Sequence, residues 1–250
     1  MTTENHTGNG RSLALAALLA SLCALLLLAC SGFGARFGIW QFRTGFAILK
    51  WSAFLGLAAA LAATVAVFVA GKGRHFGALS AALLAFVLGA TAFGLPYSWK
   101  LKAGKVPRIH DISTDLDHPP QFVALAPART GDVAYPGASV AAQQLRAYPD
   151  LKTAVLGVPM ARAYQSALDT AREMGWQIVA AVPDEGRIEA TDTTFWYGFK
   201  DDIVIRVFPA ADRSLVDVRS ASRVGISDVG TNAHRIRSFL AKLTHHPAPR

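Results

Sequence analysis

The chain has 250 residues, 52% of them hydrophobic, and a formal net charge of +8. No Asp or Glu occurs between Glu4 and Asp111, and three long apolar runs fill most of that stretch. Such a composition excludes a chain that is soluble throughout. The positive excess lies before residue 109; residues 109–250 carry 15 basic and 16 acidic side chains. A high pI built this way points to membrane flanks and anionic lipid, not to nucleic acid.

The apolar runs fall at about 12–30, 46–70 and 77–97. A hydrocarbon core of ~30 Å needs about 20 helical residues, so each run predicts a transmembrane helix. Trp40, Trp51, Tyr97 and Trp99 sit near the ends, where amphipathic rings favour the headgroup layer. No ionisable residue lies centrally in any run, which favours an anchor over a carrier. Gly56, Gly89 and the many alanines suit close helix packing. Both cysteines, Cys23 and Cys30, lie in the first run, so no disulfide staples the rest. "LLLLACSG" also reads as a lipobox, with Cys30 as the lipidated residue; an uncleaved helix is the favoured reading. Counting basic residues beside the spans gives seven on the C-terminal side and Arg11, Lys72 and Arg74 on the other. The positive-inside rule then puts the C-terminal part in the cytoplasm.

Residues 101–120 read as a basic, proline-containing linker, and 121–244 as a globular domain. Residues 121–158 read as mostly irregular, with a short strand at 122–125. A helix starts near Pro159, with Met160, Tyr164, Ala167, Leu168, Ala171 and Met174 on one face and Gly175 as its stop. Period two follows in four stretches, beginning near Trp176, Arg187, Ile203 and Leu215. "PDEG" and "PAADRS" supply turns. A tight turn at Ala211 and Asp212 would set Arg206 opposite Asp217 as a cross-strand ion pair. A second helix is expected from Ser227 or Asp228, with Val229, Ala233, Ile236, Leu240 and Leu243 as its stripe. Residues 245–250 read as a disordered tail. The predicted fold class is α+β: three N-terminal transmembrane helices, then a two-layer domain of four antiparallel strands with two helices on one face. The other face carries Gln177, Glu189, Thr191, Thr193, Arg206, Asp217 and Arg219, and reads as solvated.

"AYPDLKT", "AREMGWQIVAAVPDEGRIEATDTTFWYGFKDDIVIRV" and "VDVRSASRVGISDVGTNAHRIRSFL" resemble the domain of unknown function 1499 family over roughly residues 120–243. The resemblance implies a bacterial-type envelope or membrane-attached domain. Some members look lipoprotein-like or exported, which implies the opposite side from the charge count. It supplies no reaction, cofactor or catalytic residue.

The residues themselves offer no catalytic constellation. The histidines lack metal-ligand spacing, so no metal is expected. Ser220, Ser222 and Ser227 lack a nucleophile elbow, and no phosphate loop occurs, so no cofactor is expected either. The best binding candidate is an anion site of Arg206, Arg219, Arg223, Ser227 and Asp228, where arginine forks meet a helix N-terminus. Asp228 can also satisfy that site internally by pairing with Arg223. The second candidate is the corner "TTFWYGFKDD", with Trp196, Tyr197, Lys200, Asp201 and Asp202 at a membrane or ligand interface. Trp196 or Tyr197 should be accessible there, because rings alternate along extended chain. Adjacent Asp201 and Asp202 should point to opposite faces. The expected partners are the lipid bilayer, and an envelope protein or anionic lipid. Two functions fit: a membrane-anchored, non-enzymatic binding or scaffold domain of the bacterial envelope; or a membrane-associated hydrolase or other enzyme acting on an anionic or lipidic substrate.

Overall fold

The computed structural model describes residues 4–72, 75–129 and 133–245. Arg74 and residues 246–250 of the expected tail lie outside the described residues. The chain divides into two compact units, Met1–Lys102 with Phe195–Gly198, and Ala103–Thr194 with Phe199–Arg250.

The first unit is three helices: α1 (Glu4–Arg36), α2 (Phe42–Lys72) and α3 (Phe76–Ala103). All three are long and apolar enough to cross a membrane, and they extend beyond the apolar runs at both ends. Small residues make their contacts. On α1, Ala14, Ala17, Ser21, Ala24, Leu28 and Ser31 are buried; on α3, Ala78, Ala82, Ala85, Gly89 and Ala92. Ser52, Gly56, Ala59, Ala63, Ala66 and Ala70 do the same on α2. In each helix the steps alternate between three and four residues. That repeat averages 3.5, the period of a left-handed coiled seam. Leu19, Leu26, Leu61, Phe68 and Leu83 point outward instead. A lipid-facing bundle needs this arrangement, because packing of small residues substitutes for a hydrophobic driving force.

Helices α2 and α3 approach closely at Gly56 and Gly89. A Cβ on Gly89 would lie 2.7 Å from the Gly56 carbonyl oxygen and 3.1 Å from Ser21 Oγ. Ser21 Oγ donates to the Ala85 carbonyl at 2.7 Å, so α1 joins the same crossing. Gly94, one turn further along α3, has open space around it. Gly89→Leu should therefore wedge the helices apart and destabilise the full chain by ~1–3 kcal/mol, while Gly94→Leu should be near neutral. Thermal melting in detergent micelles, followed by circular dichroism, reads both.

The second unit is a six-stranded antiparallel sheet: β1 (Asp111–Ser113), β2 (Ala154–Leu156), β3 (Gln177–Val182), β4 (Arg187–Thr193), β5 (Lys200–Ala210) and β6 (Arg213–Ser222). The order is β1-β6-β5-β4-β3, and β2 also pairs with β6. The four strands of the meander are where period two put them. The two extra strands have three residues each, too short for alternation to register. They sit end to end on the free edge of β6, β1 opposite 219–221 and β2 opposite 214–216. β1 falls within the stretch that reads as linker.

Three helices accompany the sheet: α4 (Ala138–Ala147), α5 (Met160–Glu173) and α6 (Thr231–His245). Helices α5 and α6 cover one face. Tyr164, Ala167, Leu168 and Ala171 of α5 and Ala233, Ile236, Phe239 and Leu243 of α6 are buried against Ile188, Ile203, Ile205, Val216 and Val218. Trp176 stacks on Phe239, ring centroids 5.3 Å apart. Helix α4 replaces part of the expected irregular stretch; its Ala- and Gln-rich sequence has no strong apolar stripe and no side-chain N-cap. The expected strand at 122–125 is instead a bend entering a 3-10 turn at Ala126–Ala128. Helix α6 begins at Thr231, three residues later than Asp228, because Val229 and Gly230 are left-handed (φ 55° and 82°) and cannot continue a helix. Val229 is accordingly exposed and not part of the stripe.

Candidate functional site

The hairpin turn at Ala211 and Asp212 is tight, with Ala210 paired to Arg213, and this fixes the register of everything above it. Arg206 lies opposite Asp217, as the sequence predicts. Across the face away from α5 and α6 the strands align Arg187, Arg206 and Asp217 in one row. Glu189, Val204 and Arg219 form the next, and Thr191, Asp202 and Ala221 the third. This face reads as solvated in the sequence. It is not: Glu189, Thr191, Asp202, Asp217 and Arg219 are buried. Residues 114–129 and 133–137 lie over it, packing Phe122, Leu125 and Val133 on Val204 and Ala221.

The covered charges neutralise one another. Arg219 makes a fork to Asp111, Nε to Oδ1 at 2.9 Å and Nη2 to Oδ2 at 2.8 Å. Arg223 and Arg129 both meet Asp202, at 2.8 and 3.0 Å. Arg206 bridges Asp115 and Asp217, each at 2.8 Å. Arg187 pairs with Glu189. Five carboxylates thus face five guanidiniums, and buried charge needs such pairing. Burial would raise the Asp115 carboxyl, but hydrogen bonds from the His118 N–H and Arg206 hold it below its usual value.

Glu189 does more than balance Arg187. Its carboxylate accepts the N–H groups of Val123, Ala124 and Leu125 at 2.8–3.1 Å. A strand neighbour would otherwise satisfy those donors, which is why 122–125 bends. Aromatic faces complete the layer. The Phe122 ring lies between the Arg129 and Arg219 guanidiniums, 4.7 and 4.8 Å from its centroid, and Arg219 also faces Tyr135. Burial, with Asp111 nearby, pushes the Tyr135 phenol up to about 12 against the pull of Arg219. Beside Tyr135 a groove of about 640 Å³ opens, lined by Leu116, Ala138, Ala141 and Leu145 among others.

The five members of the expected anion site are not brought together. Arg206, Arg219 and Arg223 are each committed to carboxylates within the layer. Ser227 Oγ accepts the Val229 N–H, and Asp228 accepts the N–H groups of Gly230 and Asn232 at 2.9 and 2.7 Å. Asp228 therefore caps α6 and does not meet Arg223. Burial pushes its carboxyl up, against those two hydrogen bonds.

Asp201 and Asp202 do point to opposite faces. Asp202 enters the layer just described; Asp201 meets Arg235 of α6 at 2.7 Å on the helix side. Arg235 also holds Asp192 at 2.8 Å, which lies directly opposite Asp201 in the ladder. Asn232 links Ser220, Ser222 and Arg235 into the same cluster. Nothing in the spacing of Asp192, Asn232 and Arg235 announces this cluster, because it joins three strands to a helix that follows them in sequence. Lys200 is exposed.

The aromatic corner differs from expectation. Phe195–Gly198 belongs to the helical unit. Tyr197 is buried, its hydroxyl 3.3 Å from Ser31 Oγ and its ring 5.0 Å from Phe46. Trp196 is half-buried, donates to the Ala29 carbonyl at 3.0 Å and rests on Trp99. Gly32 makes room for it: a Cβ there would fall 2.5 Å from the indole. The exposed ring is Phe195. Helix surface supplied cover that the strand-and-helix reading had no reason to include.

A family model described as "Protein of unknown function (DUF1499)" matches residues 111–243. No curated protein matches the chain. The matched span runs from β1 to α6 and contains the whole charged layer. The chain belongs to the DUF1499 family.

Removing one partner of the Arg219–Asp111 fork should leave a buried charge alone. Arg219→Met should cost ~3–5 kcal/mol, and adding Asp111→Asn should recover part of that loss. Urea unfolding of the full chain in detergent, followed by circular dichroism at a strand wavelength, measures the cycle.

Proposed function

We propose that this DUF1499 member is a membrane-anchored, non-enzymatic binding or scaffold domain of the bacterial cell envelope, held in the inner membrane. The observation that carries the reading is the commitment of the reactive side chains. Asp201, Asp202, Arg206, Arg219 and Arg223 are the groups an enzyme of anionic or lipidic substrates would use. They lie on two faces of the sheet, and each is tied to an opposite charge. General acid–base work needs a carboxyl within reach of substrate and free to exchange a proton. A carboxylate buried in an ion pair, as Asp201 and Asp202 are, offers neither. Three helices apolar enough to span a bilayer support the anchor; the bacterial envelope setting follows what the family resemblance implies.

The test uses purified full chain in nanodiscs containing phosphatidylglycerol. No hydrolysis of the lipid's ester or phosphodiester bonds is expected. Turnover that Asp201→Asn abolishes, with the melting temperature unchanged, would sink the reading in favour of the enzyme.

The positive-inside rule favours the cytoplasmic side for the sheet unit. Arg36, Arg43, Lys100, Lys102, Lys105 and Arg108 flank the α1–α2 connection and the end of α3, on one side of an up-down-up bundle. An alkaline phosphatase moiety fused after Leu243 should stay inactive; activity in intact cells reverses the topology.

A further inference from the structure

We propose that the loop 223–230, between β6 and α6, is a membrane-contact loop that seats Val224, Ile226 and Val229 in the headgroup layer of an anionic bilayer. The proposal rests on the membrane anchor argued above and not on the envelope role.

The loop carries its apolar side chains outward. Val224, Ile226 and Val229 are 43%, 64% and 44% exposed. The four intervening or flanking positions, Gly225, Ser227, Asp228 and Gly230, hold the backbone in shape. Asp228 accepts N–H bonds from Gly230 and Asn232, and Ser227 accepts from Val229. Gly225 and Gly230 take positive φ, and so does Val229, at 55°. A β-branched residue is costly there. The turn therefore keeps three large aliphatic side chains in water on a rigid frame, where a purely connecting loop would carry polar ones.

Two features identify lipid as the occupant. The first is the place of the loop in its unit. It lies against the chain segments that join this unit to the membrane-spanning one. The Arg223 N–H donates to the Lys200 carbonyl at 3.0 Å, one residue past the join at Phe199. The Asp228 N–H donates to the Ile109 carbonyl at 3.3 Å, six residues past the join at Ala103. Val106 Cγ1 lies 3.6 Å from where a Gly230 Cβ would be. Helix α3 ends with Trp99, Lys100 and Lys102 in its last turns, the residues of a membrane–water boundary. From Lys102 to Ile109 the connecting chain reaches ~25 Å at most.

The second feature is charge. Lys105, Arg108 and Lys200 flank the loop, are exposed, and make no ion pair among the described residues. Asp228, the one carboxylate of the loop, is turned inward to the backbone. Aliphatic side chains with exposed cations on the adjoining segments match an anionic headgroup layer, each cation adding to the attraction while it stays near the surface.

Spin labels on the full chain test this in nanodiscs of phosphatidylcholine with phosphatidylglycerol. The background is Cys23→Ala/Cys30→Ala. Single cysteines are placed at Ile226, at Val155 on β2 and at lipid-facing Leu83 on α3. Collisions with oxygen, which concentrates in lipid, are compared with those of a water-soluble nickel chelate. The expected oxygen-to-nickel ratio at 226 is several-fold above that at 155, and it falls when phosphatidylglycerol is omitted. A nickel-dominated 226 beside an oxygen-dominated 83 overturns the loop while leaving the anchor standing. Nickel dominance at both sites overturns the anchor and the loop together. Low access of both reagents at 226 means that protein covers the loop, and rejects lipid. A ratio at 226 that ignores phosphatidylglycerol rejects the anionic part of the proposal.

Discussion

Ten charged side chains on and above one face of the sheet neutralise one another, and the rest of the sheet unit is arranged to permit it. Strand β6 supplies Asp217 and Arg219, β5 supplies Asp202 and Arg206, and β4 supplies Arg187 and Glu189. Asp111, Asp115 and Arg129 come from outside the meander, and Arg223 from just past β6. Each charge alone in that layer would cost several kcal/mol of desolvation. The covering segment can therefore close only in the arrangement that pairs all ten. This is a constraint on specificity more than a source of stability, since buried pairs roughly return what their desolvation costs. It explains why an irregular segment has a defined path: Glu189 collects three consecutive backbone N–H groups, and Phe122 is held between two guanidiniums.

The same layer bears on function. A sheet with one face under helices and one in water offers the open face for binding. Here both faces are covered, and most of the carboxylates on the polar one are buried. Among the described residues, a groove beside Tyr135 and the loop before α6 lie open at the margins of the sheet unit. The membrane unit follows a different physics. Its helices touch through Ala, Gly and Ser at 3.5-residue spacing, and its large side chains face outward. Apolar bulk drives packing in one unit and faces the solvent, which is lipid, in the other.

Much of this was legible in the residues. The absence of carboxylates before Asp111 and the lengths of three apolar runs determine the spanning helices, because a bilayer sets a length and forbids unpaired charge. Alternation at 176–181, 187–193, 203–207 and 215–219 determines four strands, since the pleat has a period of two. The stripes of α5 and α6 determine which side they cover. The turn at Ala211 and Asp212 determines the register, and with it the Arg206–Asp217 pair. Tertiary structure alone decided that the polar face is covered. Alternation shows that a strand has two faces and says nothing of what lies on the second, and 114–137 has no period that would mark it as a lid. The same limit hid the three-residue strands, which exist only by pairing with β6, and the Asp192–Arg235–Asp201 cluster, which joins residues distant in sequence. It also left open which ring of the corner is buried, because the cover of Tyr197 comes from helices more than 150 positions earlier. Periodicity is a local property of the chain, whereas burial of a charge or a ring depends on which distant segment arrives to cover it.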